Sequence, residues 1–355
     1  MCNIAGYIGT QTAAPILIRM MQRQEGLNGG FYTGIATLHE NKIHHAKRTG
    51  NTQHLLDTTN AAFLPGTVGI MHSRTNDGGG DEWAHPFIGY HGDVAALAYV
   101  ANGSTGYFLP HLDEYKVLVE SLLKEGYQIH RKPHTDNKPY LVLSDGTHVH
   151  MSDAMCQLIL RNIDRGHESA DAMASAFCEM PAEIVGLAID SGSSDRITWT
   201  RINKPMYVCF ATHGAYLAST PMAFPDDVIT EPQLLPACAA GYIYQDQFTV
   251  KPFHTNLARM APVDIAIQQS AYEMVCRRLE KGNESFAALS KMMQPLFEKW
   301  DIAPIPSLVY DILYSLQKQG RLKIESYQVP AARENLNAYQ YRLSLEAPCG
   351  ERDCV

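Results

Sequence analysis

A cysteine stands at position 2, directly after the initiator methionine, in Met1-Cys2-Asn3-Ile4-Ala5-Gly6-Tyr7-Ile8-Gly9. Removal of Met1 would leave a thiol and a free α-amino group on one residue. The thiol ordinarily ionises near ~8.5 and the amine near ~8. A largely neutral amine can then take the thiol proton, so that one residue serves as nucleophile and base. Ile4, Tyr7 and Ile8, with glycines at 6 and 9, predict a short buried strand. Such a strand holds a terminus that otherwise frays.

Further along, Thr67-Val-Gly-Ile-Met-His-Ser-Arg74 is a β-rich run ending in a cation, followed by the turn Thr75-Asn-Asp-Gly-Gly-Gly80 and by Ala84-His85-Pro86-Phe87. The apolar run from Val94 to Ala101 predicts a strand buried on both faces, and it stops at Asn102-Gly103. An asparagine amide and the adjacent backbone N–H can converge on one oxygen as an oxyanion hole. The same dipeptide is also a common hairpin turn, and the residues alone leave both open. Arg74 with Asp153 could clasp the charged head of an amino acid. Equally, they could form a surface ion pair, with Asp153 as the N-cap of the helix carrying Met155, Leu158, Ile159 and Ile163.

The elements that must position these groups are many short strands separated by turns. They are expected at 3–9, 32–39, 67–73, 94–101, 184–190, 206–211, 214–218 and 240–250. Amphipathic helices intervene: one with Ile16, Ile18, Met20 and Met21, one over Asp113 to Glu125, and one beginning at Asp153. Helices falling between groups of strands without a strict βαβ repeat predict a layered α+β fold. Beyond residue 253 the pattern becomes helical over 263–281, 284–299 and 306–319. Two period-two runs follow, Arg321 to Val329 and Tyr339 to Leu345. Three helices and a two-strand ribbon look like a winged helix with Pro306 to Gln319 as its third helix. We therefore expect two domains, 2–253 and 254–355.

The 355 residues are 45% apolar, enough for a sizeable core, and carry a formal net charge of −8. That balance suits a soluble cytoplasmic protein and gives no general attraction to nucleic acid or anionic membranes. Residues 253–355 hold twelve Lys/Arg against twelve Asp/Glu, a poor match to phosphate. That module is therefore expected to pack on the rest of the chain or on a protein. No apolar run approaches a membrane span, and no secretory signal is visible. Eight scattered cysteines, at 2, 156, 178, 209, 238, 276, 349 and 354, have no zinc-ligand spacing; Cys349 and Cys354 could pair if oxidised. His44-His45 and His148-x-His150 are expected as surface or packing residues. No metal or other cofactor is expected, and a homo-oligomer is compatible with the sequence.

Taken together, Cys2-Asn-Ile-Ala-Gly, Gly69-Ile-Met-His-Ser-Arg74, Ala84-His85-Pro86, Val100-Ala-Asn102-Gly103 and Ser152-Asp153 resemble, in order, the class-II (N-terminal-nucleophile) glutamine amidotransferases. That family includes the glutaminase domains of glucosamine-6-phosphate synthase, purine amidophosphoribosyltransferase, asparagine synthetase and glutamate synthase. The resemblance covers roughly residues 2–253, helped by Thr198 to Pro205 and Ala218 to Pro221. It implies an αββα sandwich of two antiparallel sheets. It also implies attack by Cys2 on the side-chain amide of glutamine, with Asn102 and the Gly103 N–H holding the oxyanion. Arg74 would grip the α-carboxylate, Asp153 would accept from the α-ammonium, and His85 would support the pocket. Thr75 stands where several members carry an aromatic, the loop after it lacks their threonines, and Ser104 replaces a residue often apolar or acidic. The loop over the substrate and the leaving-group side are therefore expected to differ.

The expected function is hydrolysis of the γ-amide of glutamine, or of a γ-glutamyl amide, through a Cys2 thioester. Ammonia would pass to a separate synthase subunit or to water, since nothing after residue 253 resembles an acceptor domain. Two other readings stand beside it: a non-catalytic regulator using the winged-helix-like module, and an amidase for a substrate without the amino-acid head.

Overall fold

A computed structural model describes residues 2–103, 109–133, 140–182, 184–255, 260–331 and 336–346. The calls above on Ser104, Cys349 and Cys354 fall outside them. The strands in chain order are β1 (Asn3–Gly9), β2 (Tyr32–His39), β3 (Lys42–Thr49), β4 (Val68–Arg74), β5 (Phe87–His91) and β6 (Val94–Asn102), then β7 (Arg131–Pro133), β8 (Leu141–Val142) and β9 (Thr147–Val149). After them come β10 (Val185–Asp190), β11 (Ile197–Arg201), β12 (Tyr207–Ala211), β13 (Gly214–Ala218), β14 (Gln233–Leu234), β15 (Ala239–Ile243) and β16 (Lys251–Pro252), and last β17 (Leu322–Pro330) and β18 (Asn337–Leu345). The α-helices are α1 (Ala13–Asn28), α2 (Thr52–Thr58), α3 (Leu112–Lys124), α4 (Met151–Asp164), α5 (Ser169–Glu179), α6 (Ile265–Glu280), α7 (Phe286–Met292) and α8 (Ile305–Lys318).

Two antiparallel sheets carry the fold. One runs β14-β12-β13-β1-β4-β2-β3 and the other β16-β15-β11-β10-β6-β5. β1 lies in the middle of the first, paired on one side with β13 (Ala5 opposite Ala218) and on the other with β4 (Asn3 opposite Ser73). Its alternation shows why. Ile4 and Ile8 point between the sheets, where they join Val100, Leu187 and Trp199. Ala5 and Tyr7 point the other way, into the layer filled by Leu17, Met20 and Met21 of α1. A Cβ on Gly6 would sit 3.0 Å from Leu187 and Leu217 side chains, so its hydrogen lets the two sheets close. The outer face of the second sheet is covered by α3, α4 and α5 through Val119, Leu158, Ile159, Met173 and Phe177. The fold is thus mixed α/β with antiparallel sheets.

Several expected strands lie within a residue or two of their observed limits. The run expected at 240–250 is instead β15, a turn closed by Tyr244 N–H on the Gln247 carbonyl, and the short β16. The expected third helix of the last module is present as α8, and the first two are α6 and a short α7. Their core includes Leu27 and Met222 from the body of the protein. Tyr207 donates to Asp311 (2.7 Å), Asn28 to Tyr310 (3.3 Å) and Gln340 to the Gly29 carbonyl (2.9 Å). The module therefore packs on the end of α1, next to the strand that follows Cys2. Among the described residues no helix is long and apolar enough to cross a membrane.

One close approach bears directly on the site. A Cβ on Gly34 of β2 would collide with the His85 carbonyl oxygen and come within 2.6 Å of Lys47 Cβ. Gly34→Ala is expected to cost about 1–3 kcal/mol by overpacking, read as a fall in the urea midpoint. An unchanged midpoint would show that the His85 segment yields freely.

Candidate active site

Register sets the first contact. Because Asn3 pairs with Ser73 in an antiparallel ladder, Cys2 arrives beside the end of β4. Its Sγ lies 3.5 Å from the Thr75 backbone nitrogen, which donates to it, and 3.6 Å from Thr75 Oγ1.

Asn102 ends β6, in the facing sheet, and is buried. It does not turn a hairpin; its amide is fully engaged instead. Nδ2 donates to the Cys2 carbonyl at 2.7 Å and to Ser219 Oγ at 3.1 Å, while Oδ1 lies 3.2 Å from His72 Nε2. Ser219 also accepts from the Ile4 N–H at 2.9 Å, so one hydroxyl ties β1 to the Asn102 amide. His72 and Ser219 stand inside the segments that carry the family resemblance, but the sequence gives neither a role, because their partners lie far away along the chain.

Arg74 is 2% exposed, with its guanidinium 4.0 Å above the Tyr32 ring. Nη2 donates to the Gly78 carbonyl. Nε and Nη1 are buried and have no hydrogen-bond partner among the described residues. A buried cation with unsatisfied N–H groups is costly unless a ligand takes them, and a carboxylate is the natural partner of a guanidinium.

Behind the cysteine sits a group of aromatic rings. His72 and His85 stack with centroids 3.9 Å apart, and His150 meets His85 edge-on at 5.6 Å. Burial, reinforced by the Arg74 charge, pulls His72 down to about 3. Burial first, and after it the neighbouring imidazoles with the Arg74 and Lys47 charges, push His85 and His150 the same way, so all three rings are neutral at pH 7. Lys47 Nζ gathers the carbonyls of Glu82, Ala84 and Pro86 at 3.0, 3.0 and 3.2 Å and so fixes the His85 segment. Burial draws that ammonium down to about 8.

These groups enclose a cavity of about 130 Å³, well below the roughly 300–1,000 Å³ of pockets for drug-sized ligands. Cys2, Arg74, His85 and Gly103 line it, all singled out from the sequence. So do Asp77, Tyr140 and His150, and an apolar side of Met151, Met155, Ala182 and Ile184, which the sequence reading did not assign. The glycine-rich turn conceals Asp77 in the sequence, and His150, expected as a surface or packing residue, lines the cavity. Asp153 is placed behind this wall. It is fully buried, and its Oδ2 accepts from the His130 backbone N–H (2.7 Å) and Nδ1 (2.9 Å). The helix cap is His150, whose Nδ1 accepts from the Ser152 N–H, rather than Asp153. Among the described residues no three His, Cys, Asp or Glu side chains are grouped to hold a metal ion.

No model of a known protein family matches the chain. It is 24% identical, over 343 residues, to the glutamine–fructose-6-phosphate aminotransferase (isomerizing) of Chlorobaculum tepidum, spanning 93% of this chain and 46% of that one. The enzyme of the same name from Caldanaerobacter subterraneus is 35% identical over 129 residues, 36% of this chain and 19% of its own length. The chain is a relative of the class-II glutamine amidotransferases. It spans about half the length, or less, of the curated relatives it matches. A glutamine phosphoribosylpyrophosphate amidotransferase structure from B. subtilis shares the fold, with a TM-score of 0.57 at 16% identity over 78% of this chain and 58% of that one. The amidotransferase relatives are enzymes of the N-terminal-nucleophile type.

The neutral histidines give the stability of this relative a pH dependence. In an unfolded chain imidazole takes a proton near ~6.5, but folded His72 does so only near about 3. Between those values the unfolded chain holds more protons, so stability falls as pH drops below ~6.5. His85 and His150 act in the same direction. Buried Glu25, whose carboxyl burial raises, acts in the opposite one. His72→Phe should remove about one proton from the slope between pH 4 and 6, about 1.4 kcal/mol per pH unit, as read from urea unfolding at several pH values. An unchanged slope would mean that folded His72 titrates normally.

Proposed function

We propose that this protein hydrolyses the γ-amide of glutamine, or of a γ-glutamyl amide, and releases ammonia to a separate acceptor enzyme or to water. The observation that carries this reading is Arg74. Arg74 lines the same small cavity as Cys2, and its buried guanidinium has two nitrogens, Nε and Nη1, without a hydrogen-bond partner among the described residues. A ligand that satisfies it brings a carboxylate, and the cavity holds Asp77 for an ammonium. An amino-acid head held between them leaves its side-chain amide for the nucleophile. A substrate without that head would strand the buried cation, which disfavours the amidase alternative.

In this reading Met1 is removed and the freed α-amine takes the Cys2 proton. The sulfur attacks the amide carbon, and the carbonyl electrons move to oxygen. Asn102 turns one N–H from Ser219 to that oxyanion, and the Gly103 N–H is its second donor. As the tetrahedral intermediate collapses, the C–N bond breaks, and the protonated amine gives its proton to the leaving nitrogen. Water then attacks the thioester by the same route, yielding glutamate and restoring the thiol. Thr75 steadies the sulfur, and neutral His85 shapes the wall without competing for the proton. Asp153 serves the ammonium only once His130 releases it.

Residues 2–253 would form this amidotransferase unit, an αββα sandwich. Residues 254–355 would form a winged-helix-like module whose faces are used for packing rather than for nucleic acid. The packed core shared with Leu27 and Met222 supports that assignment.

Cys2→Ala is expected to abolish ammonia release from glutamine while leaving circular dichroism and unfolding unchanged. A variant still turning over would refute the covalent route. Arg74→Ala is expected to raise KM for glutamine roughly 30- to 150-fold, the equivalent of about 2–3 kcal/mol for a lost charged contact. An unchanged KM would favour a substrate lacking the amino-acid head.

A further inference from the structure

An asparagine amide is nearly symmetric in shape but opposite in polarity at its two ends. Asn102 can donate toward the reaction only if Nδ2, not Oδ1, faces the cysteine. The contacts around it fix the answer. The Cys2 carbonyl oxygen can only accept, so the atom 2.7 Å from it is the amide nitrogen. Oδ1 therefore faces His72 Nε2 at 3.2 Å, and the same Nε2 is 3.0 Å from the Ala101 carbonyl oxygen. Both of those oxygens are acceptors, so Nε2 must carry the hydrogen and share it between them. Nδ1 is then bare, and it is buried with no partner among the described residues.

The ring has little freedom to present the other nitrogen. His85 is stacked on it at 3.9 Å, and Lys47 holds the His85 segment through three carbonyls. His72 belongs to β4 and Asn102 to β6, so this shared hydrogen bond crosses from one sheet to the other.

We propose that His72 is a positioning residue: its Nε2–H, shared between the Ala101 carbonyl and Asn102 Oδ1, locks the Asn102 amide with its N–H groups toward Cys2. This rests on the reading that Asn102 serves the oxyanion formed at Cys2. Without the lock, a flipped amide sets Oδ1 against the Cys2 carbonyl and offers an acceptor where negative charge develops. Substrate binding, which uses Arg74, would be spared. So would the intrinsic reactivity of the sulfur, because alkylation by iodoacetamide displaces iodide and forms no oxyanion.

The test compares His72→Phe, which keeps a stacked ring and loses the donor, with His72→Gln, which restores a donor. The substrate is glutamine, and Cys2 alkylation by iodoacetamide is followed by mass spectrometry. His72→Phe should lower kcat roughly 10- to 100-fold with KM within about twofold and an unchanged alkylation rate, and His72→Gln should recover most of kcat. Wild-type kcat in His72→Phe would overturn the proposal. So would a parallel fall in kcat and alkylation, or no recovery in His72→Gln. Should the variants not fold, nitrogen-15 NMR of the wild-type imidazoles decides. A neutral Nε2–H tautomer of His72 is expected at pH 6, and an Nδ1–H tautomer or an imidazolium would overturn the proposal. The NMR arm needs no turnover. Absence of ammonia release by the wild type would instead count against the glutaminase reading, whatever the tautomer.

Discussion

The strand that follows Cys2 is laid in the middle of a seven-stranded sheet, and the candidate site depends on that placement. β13 and β4 fix β1 from both sides, and Ile4 and Ile8 anchor it against the second sheet. With Asn3 opposite Ser73, the sulfur has no choice but to lie near residues 74 and 75. A slip of one residue would turn every side chain of β1 to the wrong face, so the core that holds the strand also aims the nucleophile. The same β4 supplies Arg74 and His72, and thus the cation and the ring that grips Asn102.

The chemistry of the cavity comes from an imbalance of charge in a buried place. Three histidines beside the cysteine are held neutral by burial, and Arg74 adds to that effect. The guanidinium itself keeps two nitrogens, Nε and Nη1, without a hydrogen-bond partner among the described residues. Protein interiors rarely tolerate such a group unless something outside the chain completes it. Where the second sheet meets the first, Asn102 is held by contacts to Cys2, Ser219 and His72. These lie 100, 117 and 30 residues away along the chain, respectively. That is tertiary design in the plain sense: no local segment could have assembled it.

This explains what could be read beforehand. Strands with continuous apolar runs, such as β6 and β10, were legible because burial is written in their composition. β3 was not, because His44, His45, Lys47 and Arg48 give it a polar face although Ile43 and Ala46 are buried. β11 is buried throughout yet contains Thr198, Thr200 and Arg201, so its polarity hides it from the hydrophobic pattern, and only the family resemblance of that stretch points to a strand. Cys2, Arg74 and Asn102-Gly103 stood out through residue type and order. The partners that make them a site did not, since Ser219, His72 and Asp77 acquire meaning only through pairing and register. The role of Asp153 is implied by the resemblance of Ser152-Asp153 to the family, and the residue does lie in the first turn of a helix. Its carboxylate, however, is taken up by His130, a partner no spacing rule could supply.

The most direct measurement is the intact mass of the purified protein before and after exposure to a glutamine-like electrophile. The account predicts a chain lacking Met1 that gains a single adduct, mapped to Cys2, and is protected by excess glutamine. A protein that retains Met1, or whose adduct falls on another cysteine and ignores glutamine, would contradict it.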